Sequence, residues 1–258
     1  MTDVLVAVPA HNEQSVVGRC LDSIAESLRH ARATGVVRRG AVAVAVHRSS
    51  DGTDRAVEQW RAAVPDVEVF HHVDDVATTV GEVRHRLVAA ACGTLGLGSA
   101  HDSWVFSTDA DSVVPRDWVT GVLGHADRTG AQCVTGLVDL DGWRTHPAAA
   151  AAYEQIVQDG LGSDGHRHVY GANLAVRLDA YAAAGGFPPH AHGEDHALVA
   201  RVRAGGGRVV PVHAPVVRTS ARMPGRARHG VGDLLQALAS GIPSPRRAVA
   251  GGCACCVG

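Results

Sequence analysis

Four short apolar runs alternate with helix-like stretches in the first 111 residues, and that alternation restricts the fold more than any other feature of the chain. The runs are VLVAV (4–8), GAVAVAVH (40–47), VEVFHHV (67–73) and the opening of SWVFSTDAD (103–111). Between them lie NEQSVVGRCLDSIAESLRHA, with Val16, Val17, Leu21, Ile24 and Leu28 at helical spacing, then DRAVEQWRAAV and TVGEVRHRLVAAACGTLG. Strands separated by helices of this length predict a parallel, doubly wound sheet. Right-handed crossovers then bring every strand C-terminus to one edge, where such sheets bind ligands. The stretch from Pro9 to Asn12, the stretch from His47 to Asp51, and Asp109-Ala110-Asp111 all fall on that edge.

After Asp111 the alternation weakens. AQCVTGLVDL reads as a strand and HPAAAAAYEQIVQDGLG as a helix. HVYGANLAVRLDAYAAAGGF is an irregular strand running into a short helix, and EDHALVARVRAGG is a further helix. RVVPVHAPVVRTS reads as a strand pair interrupted by Pro211 and Pro215. There is no linker and no repeat, so one domain over residues 1–240 is expected, followed by a loose tail over 241–258. Cys253, Cys255 and Cys256 lie in that tail on a glycine-rich end, which makes a poor preformed metal site. The AAAAAY helix surface suggests a packed interface and a possible homodimer.

Composition removes several classes of function. A net charge of −2 gives no electrostatic footprint for nucleic acid. All 24 cationic side chains are Arg, which rules out mechanisms built on lysine. No apolar run is long enough for a membrane span, and MTDVLVAVPAHNE lacks the pattern of a signal peptide, so a cytoplasmic location is expected.

Asp109 and Asp111 stand one residue apart at a strand end, where alternate residues face one side. Two carboxylates there either form a solvated turn or hold Mg²⁺ or Mn²⁺, which takes one or two carboxylates plus substrate phosphates. Glu194 and Asp195 open a helix. Capping accounts for one of them, whereas the pair behind GGFPPHAHG also suits a positioned base that accepts a hydroxyl proton. Arg218, Arg222, Arg226 and Arg228 either pair with a diphosphate or form a solvated loop. Arg84 and Arg86 could reach a phosphate or ribose from the third helix.

Taken in order, VAVPAHNE, SSDGT, STDADSVVP, GANLAVR and GFPPHAHGEDHALVARV resemble the family 2 glycosyltransferases of the GT-A fold, over roughly residues 4 to 230. The resemblance implies an α/β single domain with a mostly parallel central sheet and helices on both faces. Residues 1–115 would bind a nucleotide-diphosphate sugar, UDP- or GDP-linked, and residues 116–240 the acceptor. Pro9, Ala10, His11, Glu13, His47, Asp51, Arg84, Asp109, Ala110 and Asp111 would line the donor nucleotide. Asp109 and Asp111 would hold the divalent ion, with His213 completing its shell. Gly171, Ala172 and Asn173 would line the sugar and acceptor pocket. Asp195 would be the general base and Glu194 would orient the acceptor, while Arg218, Arg222 and Arg226 would close over the diphosphate. His47 departs from the family pattern, which has Asp or Asn there to read the base. No Q-x-x-R-W stretch is present, which implies single-sugar transfer to a soluble acceptor rather than processive synthesis. Two rival readings are a non-catalytic nucleotide-sugar binding protein and a sugar-phosphate nucleotidyltransferase. The first would usually lose an acid, and the second needs a glycine-rich phosphate loop that PAHNEQS does not supply.

Overall fold

The alternation inside single strands shows how the layers form. In β1 (Thr2–Ala10), Val4, Val6 and Val8 face one core, while Leu5 and Ala7 face another. In β2 (Val37–His47), Val42, Val44 and Val46 point to the first face and Ala41, Ala43 and Ala45 to the second. Both faces are therefore buried, as in the sheets of α/β proteins. The β-branched side packs α1 (Val17–Ala33), α2 (Thr53–Ala63) and α4 (Trp118–Thr129). The alanine side receives α3 (Val80–Leu95), α6 (Leu178–Ala183) and α7 (Glu194–Ala204).

This computed structural model describes residues 1–97, 100–163, 165–190, 192–222 and 231–241. Its seven-stranded sheet has the order β3-β2-β1-β4-β8-β5-β9. Here β3 is Glu68–Asp74, β4 Ser103–Ser107, β5 Cys133–Asp141, β8 Leu174–Arg177 and β9 Val209–Ser220. Only β8 runs against its neighbours, β4 and β5, so the sheet is mostly parallel, as the sequence predicts. A small ribbon of β6 (Leu161–Gly162) and β7 (Gly165–His166) follows α5 (Pro147–Asp159). The last described helix is α8 (Val231–Ala239). Among the described residues no helix is long and apolar enough to cross a membrane.

Three elements differ from expectation. Helix α4 adds to the expected elements: Trp118, Val119, Val122, Leu123 and Ala126 stand at helical spacing and form its buried face. Its burial is decided by Trp118, fully enclosed and edge-on to Phe106 at 5.0 Å. The expected strand pair around Pro211 and Pro215 is one strand, β9, whose register against β5 shifts between Gly136 and Val138. As the edge strand it can carry two prolines without breaking an interior ladder. Helix α8, unmarked in the sequence reading, lies beside α5, with His146 Nε2 3.1 Å from the Ala239 carbonyl. The expected loose tail and its three cysteines lie outside the described residues, apart from Gly241.

Candidate active site

Three loops at the C-terminal edge are joined by short-range polar contacts. Asn12 sits in the left-handed region at φ 54° and accepts N–H bonds from Ser50 and Asp51 at 2.7 and 3.3 Å. Its own N–H donates to Ser49 Oγ, and the Glu13 N–H donates to Thr53 Oγ1 at 2.7 Å. Asp51 receives the N–H groups of Gln14 and Thr53, so its carboxylate braces the loop that opens α2. That is a different duty from the donor contact expected of it. His11 and His47 meet with ring centroids 6.2 Å apart. His47 Nδ1 lies 2.7 Å from the Asp74 carbonyl, so this nitrogen is the donor and Nε2 is the ring nitrogen left to face other groups.

Strand β4 stops at Ser107, and Asp109 and Asp111 sit in the loop beyond it. The alternate-residue rule of a strand therefore does not set their directions. Contacts to two arginines do. Arg84, from α3, is 3% exposed and donates to Glu194 through Nη1 and to Asp109 through Nη2. This corrects the expectation that Arg84 reaches a ligand: its guanidinium is enclosed, spent on two carboxylates and stacked 5.7 Å from the Phe187 ring centre. Arg86 is engaged as well, on Asp74 at 2.8 Å. Arg222 forks onto Glu13 at 2.8 and 2.9 Å and shares Nη2 with Asp111 Oδ2 at 2.9 Å. Arg222 thus lies within the acidic cluster itself.

The backbone explains why residues so far apart meet. Val113 and Arg218 form an antiparallel bridge, N–H to carbonyl in both directions, and Ser112 Oγ donates to Thr219 Oγ1. The end of β9 is thereby pinned beside Asp111. On the other side, Ser23 and Ser27 of α1 accept the N–H groups of Val114 and Val119 and fix the exit of the loop.

Asp195 is held by the Gly171 N–H at 2.8 Å on one oxygen and the His196 N–H at 2.7 Å on the other. Glu194 does not cap its helix; the N-cap is Gly193, at φ 70°, and the Glu194 side chain turns to Arg84. Gly171 leaves room for that guanidinium, since a Cβ there would lie 3.0 Å from both terminal nitrogens. Burial pushes the Glu194 carboxyl above its ordinary range against the pull of Arg84. Burial, and then the Asp109 charge, push Asp111 up to about 6 while Arg222 pulls the other way.

Not every expected residue joins this cluster. Asn173 is 2% exposed. Its Oδ1 accepts from Trp118 Nε1 at 2.9 Å, and its Nδ2 donates to the Leu137 and Pro215 carbonyls. It is a structural clamp and not a pocket wall. Ala172 is buried beside it. His213 sits in the irregular middle of β9 with its ring 5.7 Å from that of His166, five residues short of the Arg218 bridge. It is not among the groups around Asp111. Arg218 is exposed, while Arg226 and Arg228 lie outside the described residues. Pro9 and Ala10 form the end of β1, and Ala110 is buried between the two acids. The sequence reading missed the joining role of Arg84. The signal available was a lone Arg on the apolar side of α3, two positions from Glu82.

Glu13, Asp109 and Asp111 present carboxylate oxygens, the donors that Mg²⁺ and Mn²⁺ prefer, so the chemistry of the set fits such an ion. Among the described residues, however, no group of three His, Cys, Asp or Glu is spaced to hold a metal.

A mostly parallel sheet with an acidic cluster at its carboxyl edge and one reversed strand beside β4 defines a GT-A type glycosyltransferase fold, and solved structures agree. The S. aureus TarS structure in complex with UDP-GlcNAc superposes with a TM-score of 0.62 at 12% identity, covering 92% of this chain and 65% of that one. Mannosyltransferase PcManGT from Pyrobaculum calidifontis, solved with GDP-Man and Mn²⁺, gives 0.60 at 19%, covering 86% and 58%. Glucosyl-3-phosphoglycerate synthase from Mycobacterium tuberculosis, solved with Mn²⁺, UDP and phosphoglyceric acid, gives 0.55 at 20%, covering 95% and 80%. The chain belongs to glycosyl transferase family 2, whose model matches residues 5–181. It is also 27% identical over 215 residues to the succinoglycan biosynthesis protein ExoA of Rhizobium meliloti, covering 81% of this chain and 60% of that protein. The chain thus spans less than two thirds of that curated relative.

Proposed function

We propose that this chain transfers one sugar from a nucleotide-diphosphate sugar, UDP- or GDP-linked, to an acceptor hydroxyl with inversion. The observation that carries the reading is the unbroken chain Asp195–Glu194–Arg84–Asp109. Asp195 and Glu194 are adjacent at the start of α7, and one buried guanidinium joins Glu194 to the acid on the donor loop. A base and a diphosphate site are thereby held in fixed register, and positioning of this kind supplies much of the rate of a bimolecular transfer.

In this reading residues 1–115 hold the nucleotide, and residues 116–240 contribute the base and the acceptor side. Asp195 takes the proton of the acceptor hydroxyl as its oxygen bonds to the anomeric carbon. The bond from that carbon to the diphosphate oxygen breaks, and its electron pair leaves with the diphosphate. Glu194, fixed by Arg84, faces the acceptor side, while the two N–H bonds on Asp195 set its direction. Asp111, with Asp109 and Glu13, would hold Mg²⁺ or Mn²⁺, which neutralises charge on the departing diphosphate. His47, with Nδ1 tied to the Asp74 carbonyl, would meet the base through Nε2. A non-catalytic role gains no support from the site, since all four acids of the two motifs are present and positioned.

The test is calorimetric titration of UDP, GDP, CDP and TDP with Mn²⁺ or Mg²⁺ into wild type, Asp111→Ala and Asp195→Asn. One nucleotide should bind wild type and Asp195→Asn alike and fail with Asp111→Ala. Sugar transfer by Asp195→Asn should then fall by about 10² or more. Binding of no nucleotide by folded wild type would end the donor-site reading.

A further inference from the structure

We propose that Arg222 is a tethered counter-cation, holding the place between Glu13 and Asp111 that a divalent ion takes when the donor is bound. The inference rests on the donor-site reading and adds to it a rule of binding: the guanidinium yields the acids only when a diphosphate gives it new oxygens.

The geometry points to exchange. One nitrogen, Nη2, lies 2.8 Å from Glu13 Oε1 and 2.9 Å from Asp111 Oδ2, so a single positive group bridges carboxylates from two separate loops. Nη1 completes a fork on Glu13 Oε2 at 2.9 Å. These are oxygens that a metal held by this cluster would use. A guanidinium and a divalent ion compete for them, because like charges would meet a few ångströms apart among largely buried acids.

Comparison of the two arginines identifies which one can leave. Arg84 is 3% exposed, sits within α3 and is closed in by Gly171 and Phe187. Arg222 has a side chain 31% exposed and stands two residues beyond the last residue of β9, its own N–H tied to Ser220 Oγ at 3.2 Å. Its withdrawal would open no core. Among the described residues the Nε of both arginines is buried without a hydrogen-bond partner, so it is exposure and position in the chain that separate them. A diphosphate offers oxygens in the spacing that guanidinium forks prefer.

Exchange has a thermodynamic signature. Metal alone has to displace an ion pair whose guanidinium gains nothing in return. Metal with a nucleoside diphosphate gives Arg222 a new partner, so each ligand strengthens the other by the same factor. Removing Arg222 therefore strengthens the binding of metal alone and shrinks this mutual gain.

The experiment uses the full chain and Mn²⁺ alone, with free Mn²⁺ counted by electron paramagnetic resonance and the melting temperature read in parallel. Wild type, R222Q and the double variant R222Q/D111N are compared. R222Q should bind Mn²⁺ about tenfold or more tightly than wild type, within the usual range of coupling between sites, and gain more in melting temperature from it. The gain should vanish in R222Q/D111N. If R222Q does not fold, R222K serves instead: it keeps the charge but loses the fork, and should bind Mn²⁺ more tightly than wild type. Equal Mn²⁺ affinity in wild type and variant overturns the proposal, as does the absence of Mn²⁺ binding in both. A second arm adds the nucleotide that binds best. That arm failing, with the Mn²⁺ difference intact, would sink the donor-site reading and the diphosphate rule with it, and leave only the competition between Arg222 and the ion for the two acids.

Discussion

At the scale of single residues, Arg84 decides more than any other side chain at the site. It neutralises Asp109 and Glu194 from an enclosed position, so its removal leaves two acids facing one another without their cation. Arg84→Gln should cost about 3 to 5 kcal/mol of stability, the usual penalty for breaking a buried pair from one side. Urea unfolding measures it; a loss below about 1 kcal/mol would mean that water reaches the pair. Asn173 teaches the opposite lesson about reading residues. In the sequence it belongs to a motif and suggests a pocket. In the structure its three bonds go to Trp118, Leu137 and Pro215, which lie 55, 36 and 42 residues away. Those partners come from α4, β5 and β9, and no local pattern announces them. Asp109, Asp111, Glu194 and Asp195 were legible because acids at strand ends and helix starts need a charge partner. The identity of those partners was not: Arg for Asp109, Asp111 and Glu194, and backbone N–H groups for Asp195.

At the scale of elements, the site depends on how closely α3 approaches α7. Gly81, in the first turn of α3, makes that approach possible, since a Cβ there would lie 2.1 Å from the Pro188 carbonyl and 2.9 Å from Glu194 Cβ. Gly81→Ala should push the helices apart, strain the Arg84–Glu194 contact and cut sugar transfer by more than it weakens nucleotide binding. Equal losses in the two assays would show that the donor side is carried along. Asp74 fixes the other end of this layer. Burial raises its carboxyl, but the Ala77 N–H, Arg86 and the Val76 N–H together outweigh burial and bring it below the ordinary range. A lowered carboxyl contributes stability in full above its unfolded value, about 3.9, and loses that contribution as pH falls through the folded value. Asp74→Asn should thus be less stable than wild type at neutral pH, and the gap should close below about pH 4. Thermal melts across that range test the sign. Strands β1 to β4 and helices α1 to α3 were readable because their periods are clean. Helix α4 was not expected, although Trp118, Val119, Val122, Leu123 and Ala126 stand at helical spacing, because it follows the acidic loop, where the strand–helix alternation weakens.

At the scale of the whole molecule, the two halves are interleaved. Strand β8, from residues 174–177, lies between β4 and β5 and covers the open side of β4 with antiparallel bonds. The 1–115 segment alone would expose that side of β4, lose α4 from over Phe106 and leave Asp109 without Glu194 across Arg84. Expressed by itself it should show no cooperative melting transition, whereas 1–241 should; a sharp transition in the short fragment would make the N-terminal half an independent folding unit. The parallel alternation was legible from the sequence, and the reversed strand was not, since GANLAVR carries the same apolar signal in either direction. The two outer strands of the sheet differ in one further respect. On the β9 side, Pro211 and Pro215 offer no N–H, and the backbone leaves its ladder register between Gly136 and Val138. A foreign strand cannot zip along such a margin. The protein is therefore guarded on that side against the edge-to-edge polymerisation that threatens open sheets, and its colloidal fate rests on the opposite rim, where β3 ends the sheet with Val73 in the open.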